Sequence, residues 1–567
     1  MSRRRSLSRF GRKVMFRNRS KSNDRSKRQN SKERGRAELI SFDYDLSNVC
    51  NHLEALMNAA RYGNTELLYK LYIHHIDLRM TDETGNTAMH VAVMNGQQKI
   101  VRMLVVLCAP FKIWKVKNNN GLTSTELNTD KKNVLILELI WLLIRDDLNG
   151  LDNPPSPVPD GFVDVDSHYN NLLVKEKKLW KDEERVLLSL DGGGIRAVIT
   201  IQMLIHIDHM LDGKLVEKID DLAGTSCGGV ITLLLSTNNR NIEETRKLLL
   251  EMRERVFIRG TDKTVPRYSS TGMEYIARHV TTWEDSKMSV IKRHRAIVTV
   301  TDTRMVPPQL LLFRSYRPEM PEDACEHYKF LDPSKVELWK ALRCTTAAPY
   351  FFESFNGLSD GGIIANNPTL ALMSDFLLTN KLEKSFAKTD EDRENRGNWK
   401  IGCVISLGTG VFPTEKIDGI DLIVAHAKNP IQFAKSCYKA VTSTRNLLHV
   451  LVKECTASNG QPVKYAREWC HSIKTPYFRF SPHLSQGISL DEIDLEKVMQ
   501  VMWETELYVA SHQNQFVKLV NFLATKPKRE GFDSSTNMPD SDSMEQSISE
   551  MTETTTTTTL TTTTDTT

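Results

Sequence analysis

Apolar and polar positions change their rhythm several times along the 567 residues. Residues 1–37 hold almost no core-forming side chains and read as a basic disordered tail. From about 50 to 150, apolar residues recur at helical spacing, as at Leu67, Leu68 and Leu71 and again at Ile100, Val101 and Leu104. Residues 134–144 (VLILELIWLLI) are the most apolar stretch, interrupted by Glu138. They fall well short of the roughly 20 residues a bilayer-spanning helix needs. The run LDNPPSPVP at 151–159 breaks the pattern and predicts a linker over 151–180. From 181 to 525, short apolar runs such as 186–190, 296–300 and 404–407 alternate with amphipathic stretches, which predicts an α/β sheet covered by helices. Residues 531–567 carry seven acidic and no basic side chains and end in a threonine-rich run, so they are given no fold.

The helical block repeats. Ala59-Ala60-Arg61-Tyr62-Gly63 and Ala92-Val93-Met94-Asn95-Gly96 lie 33 residues apart, and the apolar positions that follow them match. Residues 82–105 resemble the ankyrin consensus, with Gly85, Thr87, His90, Ala92 and Gly96 in register. A degenerate third unit begins at Asn120-Gly121-Leu122-Thr123, where Ser124 replaces the usual proline. The resemblance implies a scaffold that meets protein partners or packs on the neighbouring domain, with His90 as a structural histidine.

Candidate chemistry lies in the α/β block. The apolar run 186–190 enters Asp191-Gly192-Gly193-Gly194-Ile195-Arg196, and Leu222-Ala223 enters Gly224-Thr225-Ser226-Cys227-Gly228. The second is a G-x-S-x-G pentad, which on a strand-to-helix turn exposes a serine oxygen as a nucleophile. The first admits two readings. Its amides fit an oxyanion hole, and Gly192-x-Gly194-x-x-Ala197 also fits a dinucleotide-binding turn, with Asp212 at about the right distance for a ribose. Against the second, Asp212 lies in a polar turn and not at the end of an apolar strand. A third piece, Ser359-Asp360-Gly361-Gly362, leads through Asn366 and Asn367 to Pro368.

DGGGIR at 191–196, GTSCG at 224–228 and DGG at 360–362 resemble, in order, the signature of the patatin-like phospholipases. The blocks ALRCTTAAPYF at 341–351 and SLGTG at 406–410 agree with it. With ankyrin-like repeats in front, the chain is similar to the ankyrin-bearing calcium-independent phospholipases A2. That resemblance implies a three-layer α/β/α catalytic domain and a Ser226–Asp360 dyad acting through an acyl-enzyme. It further implies an oxyanion hole on the Gly192, Gly193, Gly194 loop. Gly224, Gly228, Gly361 and Gly362 would support the turns. Arg196 would either hold the loop or face a lipid phosphate. The products would be a free fatty acid and a lysophospholipid, with lysophospholipase, triacylglycerol lipase or transacylase activity as relatives of that reaction. An ankyrin scaffold with an inactive hydrolase domain is the rival. A triad is the mechanistic competitor, with His426, His449, His471, His483 and His512 as its candidates.

Charge and cysteine change the picture in two places. The net charge of +4 conceals fifteen Lys and Arg within residues 1–37 against Asp24 and Glu33, which leaves the rest of the chain net negative. That tail suits a solvated arm, an anionic lipid surface or a mitochondrial targeting segment. It comes with no fold that would read nucleic acid, so no nucleic-acid partner is expected. Nine cysteines without a CxxC pair suit a reducing, cytoplasmic compartment, with peripheral membrane contact. No P-loop, HExxH, paired CxxC or EF-hand loop occurs, so neither a cofactor nor a metal is expected. The family resemblance allows a homodimer.

Overall fold

Seven strands carry the chemistry-bearing block of the computed structural model, which describes residues 49–127, 165–177, 179–237, 241–257, 267–413 and 457–527. The two charged tails, the apolar stretch 134–144, the proline-rich run 151–159, His426 and His449 lie outside the described residues. The strands are β1 (Glu184–Leu190), β2 (Asp221–Thr225), β3 (Arg295–Asp302), β4 (Gln309–Arg314), β5 (Leu358–Asp360), β6 (Lys400–Leu407) and β7 (Tyr477–Phe480). Their order is β4-β3-β2-β1-β6-β7, with β5 also paired to β3. The pairings β2–β1, β1–β6, β2–β3 and β6–β7 are parallel, whereas β4 and β5 run antiparallel to β3.

A sheet that is parallel through its centre must be covered on both faces, which is why β1 and β2 read as continuous apolar runs. Leu187, Ala223, Ile297 and Val404 point to one face, where they meet Leu372, Met373 and Phe376 of helix Thr369–Ser385 and Val463, Ala466 and Cys470 of helix Gln461–Ser472. The opposite parity meets helix Cys227–Thr237. There a Cβ added to Gly229 would lie 3.2 Å from Val298 Cγ1. Helix Ala197–Met210 is buried nearly all round, as expected for an element enclosed between a sheet and outer helices. The result is an α/β domain with a mixed central sheet flanked by helices.

The chain leaves β1 toward β2 on one side and adds β6 on the other, so the strand order reverses at β1. Open α/β sheets place ligands at the carboxyl ends of strands at such a switch point. Both glycine motifs lie there, after β1 and after β2.

Among the described residues the repeat region shows two full helix pairs, Val49–Tyr62 with Thr65–Ile73 and Ala88–Met94 with Gln98–Cys108, followed by the opening turn of a third unit. Gly63 and Gly96 have φ of 76° and 67°, and Gly85 and Gly121 have 74° and 75°, so the same left-handed turns recur in successive units. The second spacing is 36 residues, and the turn Ile113–Lys115 lies within it. His90 is structural: its Nδ1 accepts from the Thr87 N–H at 3.1 Å, and its Nε2 lies 3.2 Å from the Leu122 carbonyl of the next unit.

The described residues from His52 onward belong to one compact unit, in which the repeats pack on the sheet domain. Arg246, fully buried on helix Ile242–Val256, is the bolt. Its Nε donates to Tyr72 Oη at 2.7 Å, and its Nη2 donates to the Leu107 carbonyl at 2.7 Å. Tyr69 Oη in turn donates to the Leu250 carbonyl at 2.7 Å. Among the described residues, no helix is long and apolar enough to cross a membrane.

Candidate active site

Ser226 stands between β2 and helix Cys227–Thr237 with φ of 54°. That is the left-handed region, where a residue with a Cβ persists only if its surroundings impose it. They do so here. The Ser226 N–H donates to Thr345 Oγ1 at 2.9 Å, and Thr345 Oγ1 donates to the Thr299 carbonyl of β3 at 2.8 Å. Two glycines let the turn close. A Cβ on Gly224 would lie 2.1 Å from the Gly228 carbonyl oxygen, and one on Gly228 would lie 2.3 Å from that of Leu190.

Asp360 arrives on the same edge of β3 as β2, just beyond the end of β2, because β4 holds the other edge. Val300 pairs with Asp360 while Thr299 pairs with Thr225, so the short strand β5 delivers its carboxylate level with Ser226. The Ser226 side chain lies close enough to that carboxylate to pull its titration downward. The Gly362 N–H donates to Asp360 Oδ1 at 2.7 Å, and the Asp360 N–H is tied to the Ala347 carbonyl at 3.0 Å. Gly361 has no room for a side chain, since a Cβ there would lie 2.1 Å from Thr299 Oγ1. Desolvation pushes Asp360 up to about 7, against the pull of Ser226 and Gly362. A carboxylate titrating near neutrality beside a serine hydroxyl is suited to take that serine's proton.

The glycine loop after β1 lies against the elbow. A Cβ on Gly192 would lie 3.2 Å from Ser226 Cβ and 2.4 Å from Asn366 Oδ1. Here the geometry corrects the sequence reading. Gly192 cannot give its N–H to an oxyanion, because that N–H already donates to the Asn366 carbonyl at 3.0 Å. No backbone carbonyl among the described residues takes the N–H of Gly193 or Gly194. The Gly193 N–H borders the Cys227 sulfur, whose thiol burial pushes up to about 12.

The loop is clamped from several sides. Thr409 Oγ1 donates to the Gly192 carbonyl at 2.8 Å, and the Ile195 N–H donates to the Leu490 carbonyl at 2.9 Å. Arg196 is buried behind it, with Nε donating to the Gly193 carbonyl at 3.0 Å and its guanidinium 4.9 Å from the centre of the Phe412 ring. Its side chain contacts the loop carbonyl, and it is not among the residues that line the cavity.

A cavity of about 300 Å³ opens from Ser226 and Asp360. Val230, Leu249, Met252, Val256, Phe257 and Phe351 give it an apolar wall. Asp212 is at the far end of helix Ala197–Met210 from the glycine loop, about 20 Å away at 1.5 Å per residue, so it cannot serve a ribose bound there. None of the described histidines lines the cavity. His471 packs against Tyr169 and His512 stacks on Tyr508.

Sequence reasoning missed several residues of this site. Thr345, Asn366 and Thr409 fall inside motifs it had singled out, but their bonds to the elbow and the loop were not legible. Arg479 and Leu490 carried no signal. They come from β7 and a later loop, and only the sheet order brings them to the glycine turn.

Both regions of the chain are similar to known proteins. Residues 188–373 match the family model described as patatin-like phospholipase, and residues 35–123 match one for ankyrin repeats in three copies. The mouse 85/88 kDa calcium-independent phospholipase A2 is 33% identical over 354 residues, covering 60% of this chain and 41% of that protein. An intracellular phospholipase A2 of Caenorhabditis elegans is 28% identical over 525 residues, covering 85% of this chain and 46% of that protein. The human calcium-independent phospholipase A2-gamma is 24% identical over 358 residues, covering 60% and 40% respectively. The chain thus spans less than half the length of these curated relatives.

Proposed function

We propose that this chain, which carries a patatin-like phospholipase domain behind ankyrin repeats, hydrolyses acyl esters of glycerophospholipids without calcium. The observation that carries the reading is the strained Ser226 beside a buried Asp360, both lining one apolar cavity. Asp360 takes the Ser226 proton as Oγ attacks the ester carbonyl. The tetrahedral oxyanion receives the Gly193 and Gly194 N–H groups, the loop donors not committed to a backbone carbonyl. Collapse breaks the ester C–O bond, and the proton on Asp360 passes to the departing lysophospholipid oxygen. Water, deprotonated by Asp360, then attacks the acyl-enzyme, and fatty acid leaves with Ser226 reprotonated. Preorganised donors of this kind are each worth ~10²–10³ in rate. The apolar wall suits a long acyl chain, which it removes from water as the ester carbonyl reaches Oγ.

Release of labelled fatty acid from phosphatidylcholine vesicles in EGTA tests the reading, with Ser226→Ala as control. Release by wild type and not by Ser226→Ala supports it. Equal background from both, across phospholipid, lysophospholipid and triacylglycerol, would reject it in favour of a scaffold.

A further inference from the structure

The hairpin that joins β3 to β4 has an unusual tip. Arg304, Met305, Val306, Pro307 and Pro308 are all exposed, Val306 at 98% and Met305 at 49%. Its single cation is already matched, because the Arg304 guanidinium donates to both oxygens of Asp302 at 2.9 Å and 2.7 Å. The tip is therefore apolar and close to neutral.

Its position follows from the strand register. β3 runs parallel to β2, whose end delivers Ser226, and Val300 of β3 pairs with Asp360. Residues 303–308 continue past that level, so the hairpin projects from the edge of the sheet that holds the dyad. Two more apolar side chains are exposed next to residues that line the cavity. Ile364, 43% exposed, follows the cavity residue Ile363. Tyr350, 39% exposed, stands between the cavity residues Pro349 and Phe351 with φ of 76°. A bulky aromatic residue in that conformation is an outlier. Its carbonyl accepts from the Arg267 N–H at 3.0 Å, which pins the backbone there.

From these observations, and resting on the hydrolase reading above, we infer that Met305 and Val306, with Tyr350 and Ile364 at the cavity rim, form the face that enters a phospholipid surface. The occupant is the outer layer of a bilayer, chosen because an acyl chain must reach the cavity from it and these exposed apolar side chains stand at the dyad end of the sheet or next to cavity-lining residues. Aromatic and aliphatic groups suit that boundary, and the neutral tip makes the contact apolar and not electrostatic.

The test uses the full chain and the double variant Met305→Ser/Val306→Asp. Both positions are exposed at a loop tip, where substitution changes stability little. Sedimentation with phosphatidylcholine vesicles, at low and at 0.5 M salt, is expected to fall about tenfold in affinity at both, from the lost burial of one to two apolar side chains. Hydrolysis of a dissolved short-chain ester by the same variant stays at the wild-type rate, while hydrolysis of vesicles falls with binding. Val306→Trp is expected to bind vesicles more tightly. Unchanged vesicle binding by the double variant would overturn the inference, and so would an equal loss on the dissolved ester. Sedimentation requires no turnover. A chain that binds vesicles through this tip yet releases no fatty acid would reject the hydrolase reading and leave the face standing.

Discussion

Arg479 grips Asp191 at two points, Nη1 donating to one carboxylate oxygen at 3.1 Å and Nη2 to the other at 2.6 Å. Asp191 opens the glycine loop and is fully buried, while Arg479 lies on β7, across β6 from β1. The same guanidinium donates to Ser406 Oγ at 2.7 Å and to the Ser458 carbonyl. Burial pushes Asp191 up to about 6 even against this partner. Truncation to Arg479→Ala strips the buried carboxylate of its paired charge and two of its hydrogen bonds, so a loss of about 3–5 kcal/mol is expected in denaturant unfolding. Arg479→Lys keeps the charge but not the planar fork. It is expected to fold, with a lower kcat and a nearly unchanged KM as the loop amides lose their aim. A Lys variant indistinguishable from wild type in kcat would show that the pair does not position the loop.

The pH profile follows from Asp360. The proposed base must be ionised, so kcat/KM is expected to rise with pH through about 7 and level off above it. Asp360→Asn should lose that limb together with roughly 10²–10⁴ in rate. Stability runs the other way. The folded value lies above the ordinary 3.8, so the native chain holds the proton more tightly than the unfolded chain does. Its contribution is fully present below the unfolded value and is lost as pH rises through the folded one. Asp360→Asn is therefore expected to melt higher than wild type at pH 8, and the gap should close toward pH 4. A lower melting temperature at pH 8 would mean that the carboxylate holds the site together and does not strain it.

The elbow can be tested by one methyl group. Gly224→Ala forces a Cβ to within 2.1 Å of the Gly228 carbonyl oxygen, backbone against backbone, with no flexible side chain to yield. Loss of soluble, folded protein is expected. Gly213→Ala is the control. It has φ of 75° and no atom within 4 Å of the added Cβ, so only the left-handed cost of about 1–2 kcal/mol applies. Equal melting temperatures for the two variants would contradict the close-packing account.

These contrasts bear on what the sequence could reveal. Motifs with local causes were legible. The glycines around Ser226, the glycine after Asp360 and the left-handed turns of the repeats each reflect a conformation set within a few residues. The alternation of apolar runs predicted the sheet and its helices, because coverage of both faces leaves a direct mark on β1 and β2. What depended on neighbours across the sheet was silent. Gly192 looked like an oxyanion donor because nothing in DGGGIR reveals that Asn366 takes its N–H. Arg479 looked like any arginine in YFRF until the order β1-β6-β7 placed it beside Asp191.

Arg246 couples the repeats to the cavity wall, and its loss should be felt at both ends. It donates to Tyr72 Oη, to the Val106 and Leu107 carbonyls and to Gln202 Oε1, at 2.7 to 3.2 Å. The two carbonyls belong to the last turn of helix Gln98–Cys108, where no intrahelical partner exists. Arg246→Met keeps the bulk but leaves these buried acceptors short of donors, at about 1–3 kcal/mol each. The helix that carries Arg246 also presents Leu249, Met252 and Val256 to the cavity. Arg246→Met is therefore expected to melt several degrees lower and to expose the repeats to limited trypsin digestion. Fluorophosphonate labelling of Ser226 should persist, since the elbow takes its bonds from Thr345 and β3 and not from this helix. Unchanged protease resistance and melting would show that the repeats are held by apolar packing alone. Loss of labelling together with fold would place Arg246 in the catalytic domain's own core and not at its junction with the repeats.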